Sequence, residues 1–118
     1  YRTASCEAPI NEVLAAGLIK LSGWNFDTDF IDPFCGSGTI LIEAALMARN
    51  IYPGIFRKSF GFERWKDFDR ELLDKIYNDD SQEREFAHRF YGYDINRPTL
   101  DGALENAKAA GVADLITF

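Results

Sequence analysis

Hydrophobic and polar residues follow the pattern of an open α/β protein along this chain. Apolar residues recur at helical spacing over residues 10–21, 39–50 and 98–110, which predicts three helices. Short apolar runs within residues 30–32 and 90–94 each end in an acid and predict two strands. Strands that alternate with helices form a parallel sheet with crossover connections, so the pattern predicts an α/β fold.

The first two helices are expected to pack beside the sheet. Pro9 suits the first position of the first helix, where a missing N–H costs nothing, and Gly23 is placed to end that helix. One apolar stripe of this helix should face the protein, and it consists of Ile10, Val13, Leu14, Leu18 and Leu21. In the second helix, Glu43 is interpreted as a carboxylate on the exposed face; the alternative is that it holds the preceding loop.

A loop with two glycines joins the first strand to the second helix. It consists of Asp32, Pro33, Phe34, Cys35, Gly36, Ser37, Gly38 and Thr39. Gly36 and Gly38 allow the backbone to turn sharply and a ligand to approach closely. The first amides of the following helix are unpaired donors at the positive end of its dipole. The loop is therefore a candidate ligand site; the alternative is an ordinary turn between a strand and a helix.

The residues of the loop restrict the class of ligand. No Lys follows the second glycine, which excludes a phosphate-binding P-loop. Leu41 stands where a dinucleotide fingerprint has its third small residue. Asp32 would repel a pyrophosphate but would attract a cation. S-adenosylmethionine has no phosphate and carries a positive sulfonium, so we predict that it is the cofactor.

A second acid lies at the end of the strand predicted over residues 91–94. A carboxylate at a strand tip can accept hydrogen bonds from both ribose hydroxyls of a nucleoside, so Asp94 is predicted to bind the ribose. Ile95 is placed to pack on the adenine. The alternative is that Asp94 caps the next helix, because Asp-x-x-Pro often opens one. Gly111 should end that helix, and residues 115–118 predict the start of a third strand.

Residues 51–89 are interpreted as an insertion, because in a minimal doubly wound unit the second acid follows the glycines after only about 20 residues. The first half of the insertion interleaves aromatic with basic residues, as surfaces that bind RNA do. The candidates for RNA contact are Arg57, Lys58, Arg64 and Lys66. We favour the alternative that the aromatics cap the edge of the sheet and the charges are only solvated, because Pro53 and Gly54 indicate an irregular loop that needs a small core of its own. Residues 67–85 predict a solvated amphipathic helix without chemistry.

The composition narrows the class of protein further. A net charge of −6 argues against this chain being the main nucleic-acid contact, because phosphate binding needs clustered Lys and Arg. Cys6, Cys35 and the single histidine, His88, argue against a zinc site or Cys–His catalysis, so no metal is expected. No apolar run is long enough to cross a membrane and no signal peptide is recognisable, so we expect a cytoplasmic protein with free thiols.

Five short motifs occur in a specific order that covers nearly the whole chain. They are residues 8–12 (APINE), 32–45 (DPFCGSGT and IEAA), 61–65 (GFERW), 91–96 (YGYDIN) and 106–108 (NAK). Together these motifs resemble those of the THUMP-associated RNA methyltransferases. The most similar members are bacterial 23S rRNA guanine-N2 methyltransferases, which are often catalogued as N6-adenine-specific DNA methylases.

The resemblance implies a partial Rossmann-like, S-adenosylmethionine-dependent methyltransferase fold. Residues 1–118 would form the N-terminal, cofactor-binding part of its doubly wound sheet. The parts of this domain would be a leading helix (1–23), a strand–loop–helix motif (29–50), the insertion (51–89) and the second strand with its helix and the next strand (90–118). The resemblance also implies that residues 32–39, Asp94 and Ile95 bind the cofactor. RNA would be bound mainly by a THUMP-containing region N-terminal to this domain in the parent protein.

A motif that would position the target amine is absent from this chain. Methyltransferases that act on an exocyclic amine typically carry Asn/Asp-Pro-Pro-aromatic, and none of the four prolines here adjoins another. We therefore assign no catalytic residue and predict that the chain cannot methylate without the remainder of a catalytic domain. Two alternatives for the function are an N6-adenine-specific DNA methylase and a non-catalytic nucleotide-binding module with a Rossmann-like sheet.

Overall fold

The computed structural model describes residues 1–4 and 8–118, so Cys6, one of the two predicted free thiols, lies outside the described residues. The helices are α1 (Glu12–Leu21), α2 (Thr39–Ala48), α3 (Arg70–Asn78) and α4 (Arg97–Ala110), and the strands are β1 (Phe30–Asp32), β2 (Phe90–Gly92) and β3 (Ile116–Thr117). Short 3-10 turns span Gly61–Arg64 and Ala113–Leu115. The predicted α/β order is confirmed.

The three strands form one parallel sheet in the order β1-β2-β3. Phe90 pairs with Phe30 on one side and with Ile116 on the other. Phe90 and Ile116 are buried, whereas Ile31, one residue further along β1, is 61% exposed. Because successive strand residues point to opposite faces, the described helices cover one face of the sheet and leave the other open.

Helix α2 is the centre of the core. It packs against β1, β2, α1 and α4, and its side chains Leu41 and Ile42 are fully buried. A cluster of aromatic rings adjoins this core where the strands begin, with Trp24 contacting both Phe30 (4.8 Å between ring centroids) and Phe90 (5.8 Å). The cluster fills the amino ends of the strands and leaves their carboxyl ends to the loops.

Helix α1 starts later than predicted and buries a different stripe. The side chain of Asn11 caps the helix, which therefore begins at Glu12 rather than at Pro9. Ala15 and Ile19 are its buried residues. The predicted apolar stripe is wrong, because four of its members are exposed: Val13, Leu14, Leu18 and Leu21. Helix α1 packs against α2 and buries this narrow side, so the longer apolar chains lie outside it.

The observed ends of the helices and strands match the predicted ends in part. Gly23 and Gly111 have φ values of +73° and +76° directly after the last turns of α1 and α4, as predicted. Helix α2 ends at Ala48 instead of Asn50, which itself has a φ of +54°. Strand β2 ends before Asp94, so this acid lies in the loop after the strand. The third strand is confirmed over a shorter range than predicted.

The insertion packs on itself through aromatic rings, so the small core expected for this irregular loop is present, and the contacts of these rings lie within the insertion. The rings of Phe60 and Phe62 are stacked with centroids 5.0 Å apart, and Phe68 and Tyr77 adjoin this pair. Helix α3 lies within the predicted helical range and has no buried residue. The insertion is therefore a surface unit with a small aromatic cluster of its own.

Candidate cofactor site

Two loops meet at the carboxyl ends of β1 and β2. The amide of Tyr93 donates to the carbonyl of Asp32 (3.0 Å), and the amide of Cys35 donates to the carbonyl of Tyr93 (2.8 Å). The amide of Gly36 donates to a carboxylate oxygen of Asp94 (3.3 Å). Residues that are far apart in the sequence, in 32–39 and 93–94, thus form one hydrogen-bonded unit where parallel sheets usually bind ligands.

The two loop glycines are required by the backbone. Gly36 has a φ of +53° and Gly38 a φ of +83°, both in the left-handed region. Gly38 is also the N-cap of α2, and among the described residues no side chain caps the helix there. A Cβ on Gly38 would lie 3.2 Å from the Cβ of Ala103 in α4, so space as well as conformation favours glycine. The amides of the first turn of α2 are left available to a ligand.

Asp94 does not cap the helix that follows it. The N-cap of α4 is Asn96, whose side-chain oxygen accepts a hydrogen bond from the amide of Thr99 (3.2 Å). The capping alternative for Asp94 is therefore wrong. Its half-buried carboxylate instead accepts from the amides of Asn96 (2.9 Å) and Gly36 (3.3 Å). These contacts fix a negative charge at the tip of β2.

The other predicted ligand residues surround this unit. Asp32 is half-buried and accepts a hydrogen bond from the amide of Phe34 (3.0 Å). Pro33 is exposed, Phe34 is 87% exposed, and Ile95 is fully exposed. The side chains of Phe34 and Ile95 therefore offer apolar surface beside the two carboxylates. This arrangement suits a ligand with one flat apolar part and polar hydroxyl or cationic groups.

Cys35 is buried within the site and lacks the character of a nucleophile. Burial, followed by the nearby carboxylates of Asp32 and Asp94, raises the pKa of the Cys35 thiol to about 12. The thiol is therefore neutral at physiological pH. A Cβ placed on Gly92 would lie 3.1 Å from the sulfur, which shows how closely the side chain fills the space behind the loop.

Two residues that the sequence analysis did not single out as functional support the loop from behind. Asn106 in α4 is 1% exposed, and its side-chain amide donates to the carbonyl of Ser37 (3.0 Å). The guanidinium of Arg2 donates to the hydroxyl of Thr39 (2.9 Å). The available signal for Asn106 was a polar residue at the spacing of the buried alanines of α4, at 103, 107 and 110. Arg2 precedes the first periodic segment, so no pattern pointed to it.

Glu43 contacts the start of the chain and is not an exposed-face carboxylate. Its carboxylate is half-buried and accepts a hydrogen bond from the hydroxyl of Tyr1 (2.8 Å). Burial raises the pKa of Glu43, and the hydrogen bond from Tyr1 offsets part of this effect. Burial and the charge of Glu43 likewise raise the pKa of the Tyr1 phenol above its usual value. The interpretation of Glu43 as exposed was wrong, because Tyr1 covers this side of α2.

The basic residues proposed for RNA contact lie on the surface of the insertion. Arg57, Lys58, Arg64 and Lys66 are all exposed, and within residues 1–4 and 8–118 no salt bridge involves them. The guanidinium of Arg57 lies 5.0 Å from the centroid of the Phe60 ring. Next to this surface, an open groove of about 320 Å³ is lined mainly by apolar side chains of α3 and of the aromatic cluster of the insertion.

No cluster of three or more His, Cys, Asp or Glu side chains is placed to hold a metal ion in residues 1–4 and 8–118. In that same part of the chain, no helix is long and apolar enough to span a membrane.

The parallel sheet, the helices that cover it and the loops at its carboxyl edge define a partial Rossmann-like α/β fold. All 118 residues match the model of one family, UPF0020, described as the RMKL-like methyltransferase domain. The chain belongs to this family.

Proteins similar to this chain are also described as methyltransferases or methylases. The chain is 45% identical to the ribosomal RNA large subunit methyltransferase K/L of Psychromonas ingrahamii, over its whole length but only 16% of that protein. Among solved structures it is similar to SMU.472, described as a methyltransferase complexed with SAH (TM-score 0.86, 38% identity, covering 98% of this chain and 31% of that one). It is also similar to a Listeria monocytogenes protein described as a predicted N6-adenine-specific DNA methylase (TM-score 0.86, 41% identity, covering all of this chain and 31% of that one).

Proposed function

We propose that this chain forms the cofactor site of an S-adenosylmethionine-dependent methyltransferase that modifies an exocyclic amine of an RNA base. The observation that carries this proposal is the contact between the two loops. The Asp94 carboxylate accepts a hydrogen bond from the Gly36 amide, next to the N-terminus of α2, whose N-cap is Gly38. Membership of a methyltransferase family supports the reaction class. The similar structure with SAH supports the cofactor, since SAH is S-adenosylmethionine without its transferred methyl group.

The residues of the site fit this cofactor. Asp94 would accept hydrogen bonds from the ribose hydroxyls, and Ile95 would pack on the adenine. Asp32 would attract the positive charges of the methionine part. The backbone of residues 33–39 would border the ligand, and Gly36 and Gly38 leave no side chain at their two positions. The cofactor supplies the methyl group, and this part of the protein binds and orients it.

The substrate proposed is RNA, with guanine-N2 of 23S rRNA as the most specific form. Its support is the 45% identity to a ribosomal RNA large subunit methyltransferase, of which the chain spans 16%. The net charge of −6 indicates that other parts of a parent protein provide most of the RNA affinity, and we propose a THUMP-containing region for this role. Arg57, Lys58, Arg64 and Lys66 would add a minor contact. We propose a cytoplasmic location for this protein, because its proposed substrate, rRNA, is found there.

We propose that residues 1–118 are the N-terminal part of the catalytic domain. The open face of the sheet, where Ile31 is 61% exposed, supports this, because parallel sheets are normally covered on both faces. The absence of an Asn/Asp-Pro-Pro-aromatic motif leaves the target amine without its usual partners in this sequence. We expect no methyl transfer to RNA by the 118-residue chain alone; incorporation of labelled methyl groups by that chain would contradict this.

A second candidate function is N6-adenine-specific DNA methylation. The similarity to the Listeria protein with that description favours it. The two functions share the cofactor site and differ in the nucleic acid. Incubating the intact protein with labelled S-adenosylmethionine and either rRNA or genomic DNA separates them: label in guanine of rRNA supports the first function, and label in adenine of DNA supports the second.

The cofactor site is tested by calorimetric titration of the intact protein with S-adenosylhomocysteine, with NAD as a parallel control. We expect S-adenosylhomocysteine to bind and NAD not to bind, because Leu41 and Asp32 disfavour a dinucleotide. Binding of NAD alone would move the protein to the class of dinucleotide-binding modules. Absence of binding of either ligand to the folded protein would contradict the proposed site.

A further inference from the structure

A buried side-chain amide holds the cofactor loop from behind. Asn106 lies on α4 and is 1% exposed. Its Nδ2 donates to the carbonyl of Ser37 (3.0 Å) and to the carbonyl of Ala4 (2.8 Å). Its Oδ1 accepts from the amides of Thr3 (2.7 Å) and Ala4 (2.8 Å). The side chain therefore joins three separate parts of the chain: α4, the glycine loop and the first residues.

Asparagine suits this position because of its hydrogen-bonding groups. A buried polar side chain costs free energy unless its donors and acceptors are all paired, and those of Asn106 are. Aspartate would keep the acceptor contacts to Thr3 and Ala4 but would place a carboxylate against two carbonyl oxygens. Leucine would leave four backbone groups without their partner. Packing alone does not require an amide, since Ala103 and Ala107 on the same helix are completely buried without one.

A second link joins the first residues to the same loop. The Arg2 guanidinium donates to the Thr39 hydroxyl (2.9 Å) and to the Ile10 carbonyl (2.7 Å), and it lies 3.1 Å from the Glu12 carboxylate. The Thr39 hydroxyl in turn lies 3.3 Å from that of Ser37. Both links end within the turn that contains Gly38. Residues 1–4 thus reach the loop through Asn106 and through Arg2.

We infer that Asn106 is a positioning residue for cofactor binding. It holds the Ser37 carbonyl and with it the turn of residues 36–39. Residues 1–4 are part of this support. The inference rests on the proposed function. In this proposal Asn106 and Arg2 act through Ser37 and Thr39 and do not contact the cofactor themselves. Their role is to keep the loop amides and the Asp94 carboxylate in register before the cofactor arrives, which lowers the cost of ordering the loop on binding.

The test measures the affinity of the intact protein for S-adenosylhomocysteine at several pH values. Asn106→Asp should bind about tenfold more weakly at neutral pH, the effect of losing a buried hydrogen bond to Ser37. Its affinity should recover in part as the pH is lowered towards about 5.5, because burial raises the pKa of a carboxyl and the neutral form can again donate to one of the two carbonyls. Wild type and Glu105→Gln, a change of the exposed neighbour, should keep their affinity over the same range.

A merely structural role predicts a different result. In that case the folded Asn106→Asp protein would bind like wild type, or would be weaker by the same factor at every pH, and either result would overturn the inference. If the wild type itself does not bind, the proposed function fails and the inference fails with it.

A second variant keeps the test valid if Asn106→Asp does not fold. Arg2→Met removes the bond to Thr39 and retains an apolar stem, and we expect about threefold weaker binding. Arg70→Met in the insertion, which removes an ion pair with Glu63, is the matched control and should bind normally. Equal affinities of the two folded variants would overturn the role of the first residues.

Discussion

Helices α2 and α3 have nearly the same length, 10 and 9 residues, and differ in what surrounds them. Seven residues of α2 are buried, and none of α3 is. Helix α2 packs against the sheet and two other helices, whereas α3 rests on the aromatic cluster of the insertion. Apolar periodicity predicts a helix in both cases but not the depth of burial. The fold and the candidate site therefore depend on the region around α2. The insertion is a surface unit, and substitutions there should change the stability of the protein less.

The largest expected difference between these regions is in stability. Leu41→Ala should lower the free energy of unfolding by about 2–5 kcal/mol, because Leu41 is fully buried and a cavity would remain. Leu72→Ala is the matched change in α3, where the leucine is 53% exposed, and should cost less than about 1 kcal/mol. Urea unfolding of both variants measures this. Equal losses would contradict the assignment of the core to the α2 region.

The next effect is on cofactor affinity. Asp94→Ala should weaken S-adenosylhomocysteine binding by about 1–3 kcal/mol, the scale of a lost charged hydrogen bond, while the fold survives. Asp74→Ala, the corresponding removal of an acid in α3, should leave the affinity unchanged. Calorimetric titration compares the two variants. Normal binding by Asp94→Ala would refute the ribose assignment.

A smaller effect concerns the pH dependence of stability. Burial raises the pKa of Glu43, so the folded chain favours the neutral carboxyl, and this contribution to stability is lost as the pH rises through the raised pKa. Glutamine imitates the neutral form and can still accept the hydrogen bond from Tyr1. Glu43→Gln should therefore gain stability relative to wild type as the pH rises above the usual pKa of a glutamate, about 4.3.

Thermal unfolding of both proteins at pH values below and above the usual pKa of a glutamate measures the Glu43 effect. The corresponding change in α3, Glu71→Gln at an exposed position, is the matched control. A constant difference between Glu43→Gln and wild type would show that the carboxyl of Glu43 titrates as it does in the unfolded chain.

The smallest expected effect is in the insertion. Replacing Arg64 and Lys66 by Gln should reduce the salt dependence of RNA binding by the intact protein by about one counterion per lost phosphate contact. Cofactor affinity and stability should not change, because both side chains are exposed. Filter-binding titrations at several salt concentrations test this. An unchanged slope would mean that these residues are only solvated.

Much of the fold could be predicted from the sequence because its signals are local. The glycine loop between β1 and α2, the stops at Gly23 and Gly111 and the amphipathic helix of the insertion follow from backbone preferences and periodicity. The placement of Asp32 and Asp94 at the same edge follows from parallel strands. These features need no knowledge of which surfaces meet.

The failures concern contacts between distant parts of the chain. The stripe of α1 was misassigned because the larger apolar residues outweighed Ala15, a small residue that the fold buries completely. Glu43 was misassigned because its partner, Tyr1, is distant in sequence. The role of Asn106 could not be recognised without the positions of Ser37 and Ala4. Each case depends on a tertiary contact that no local pattern encodes.

Hydrogen–deuterium exchange of the intact protein with and without S-adenosylhomocysteine tests the central claim most directly. We predict that the ligand slows exchange in residues 35–40 and 93–96 and leaves residues 60–78 of the insertion unchanged. Slower exchange in the insertion, with none at the two loops, would contradict the assignment of the cofactor site to the carboxyl ends of β1 and β2.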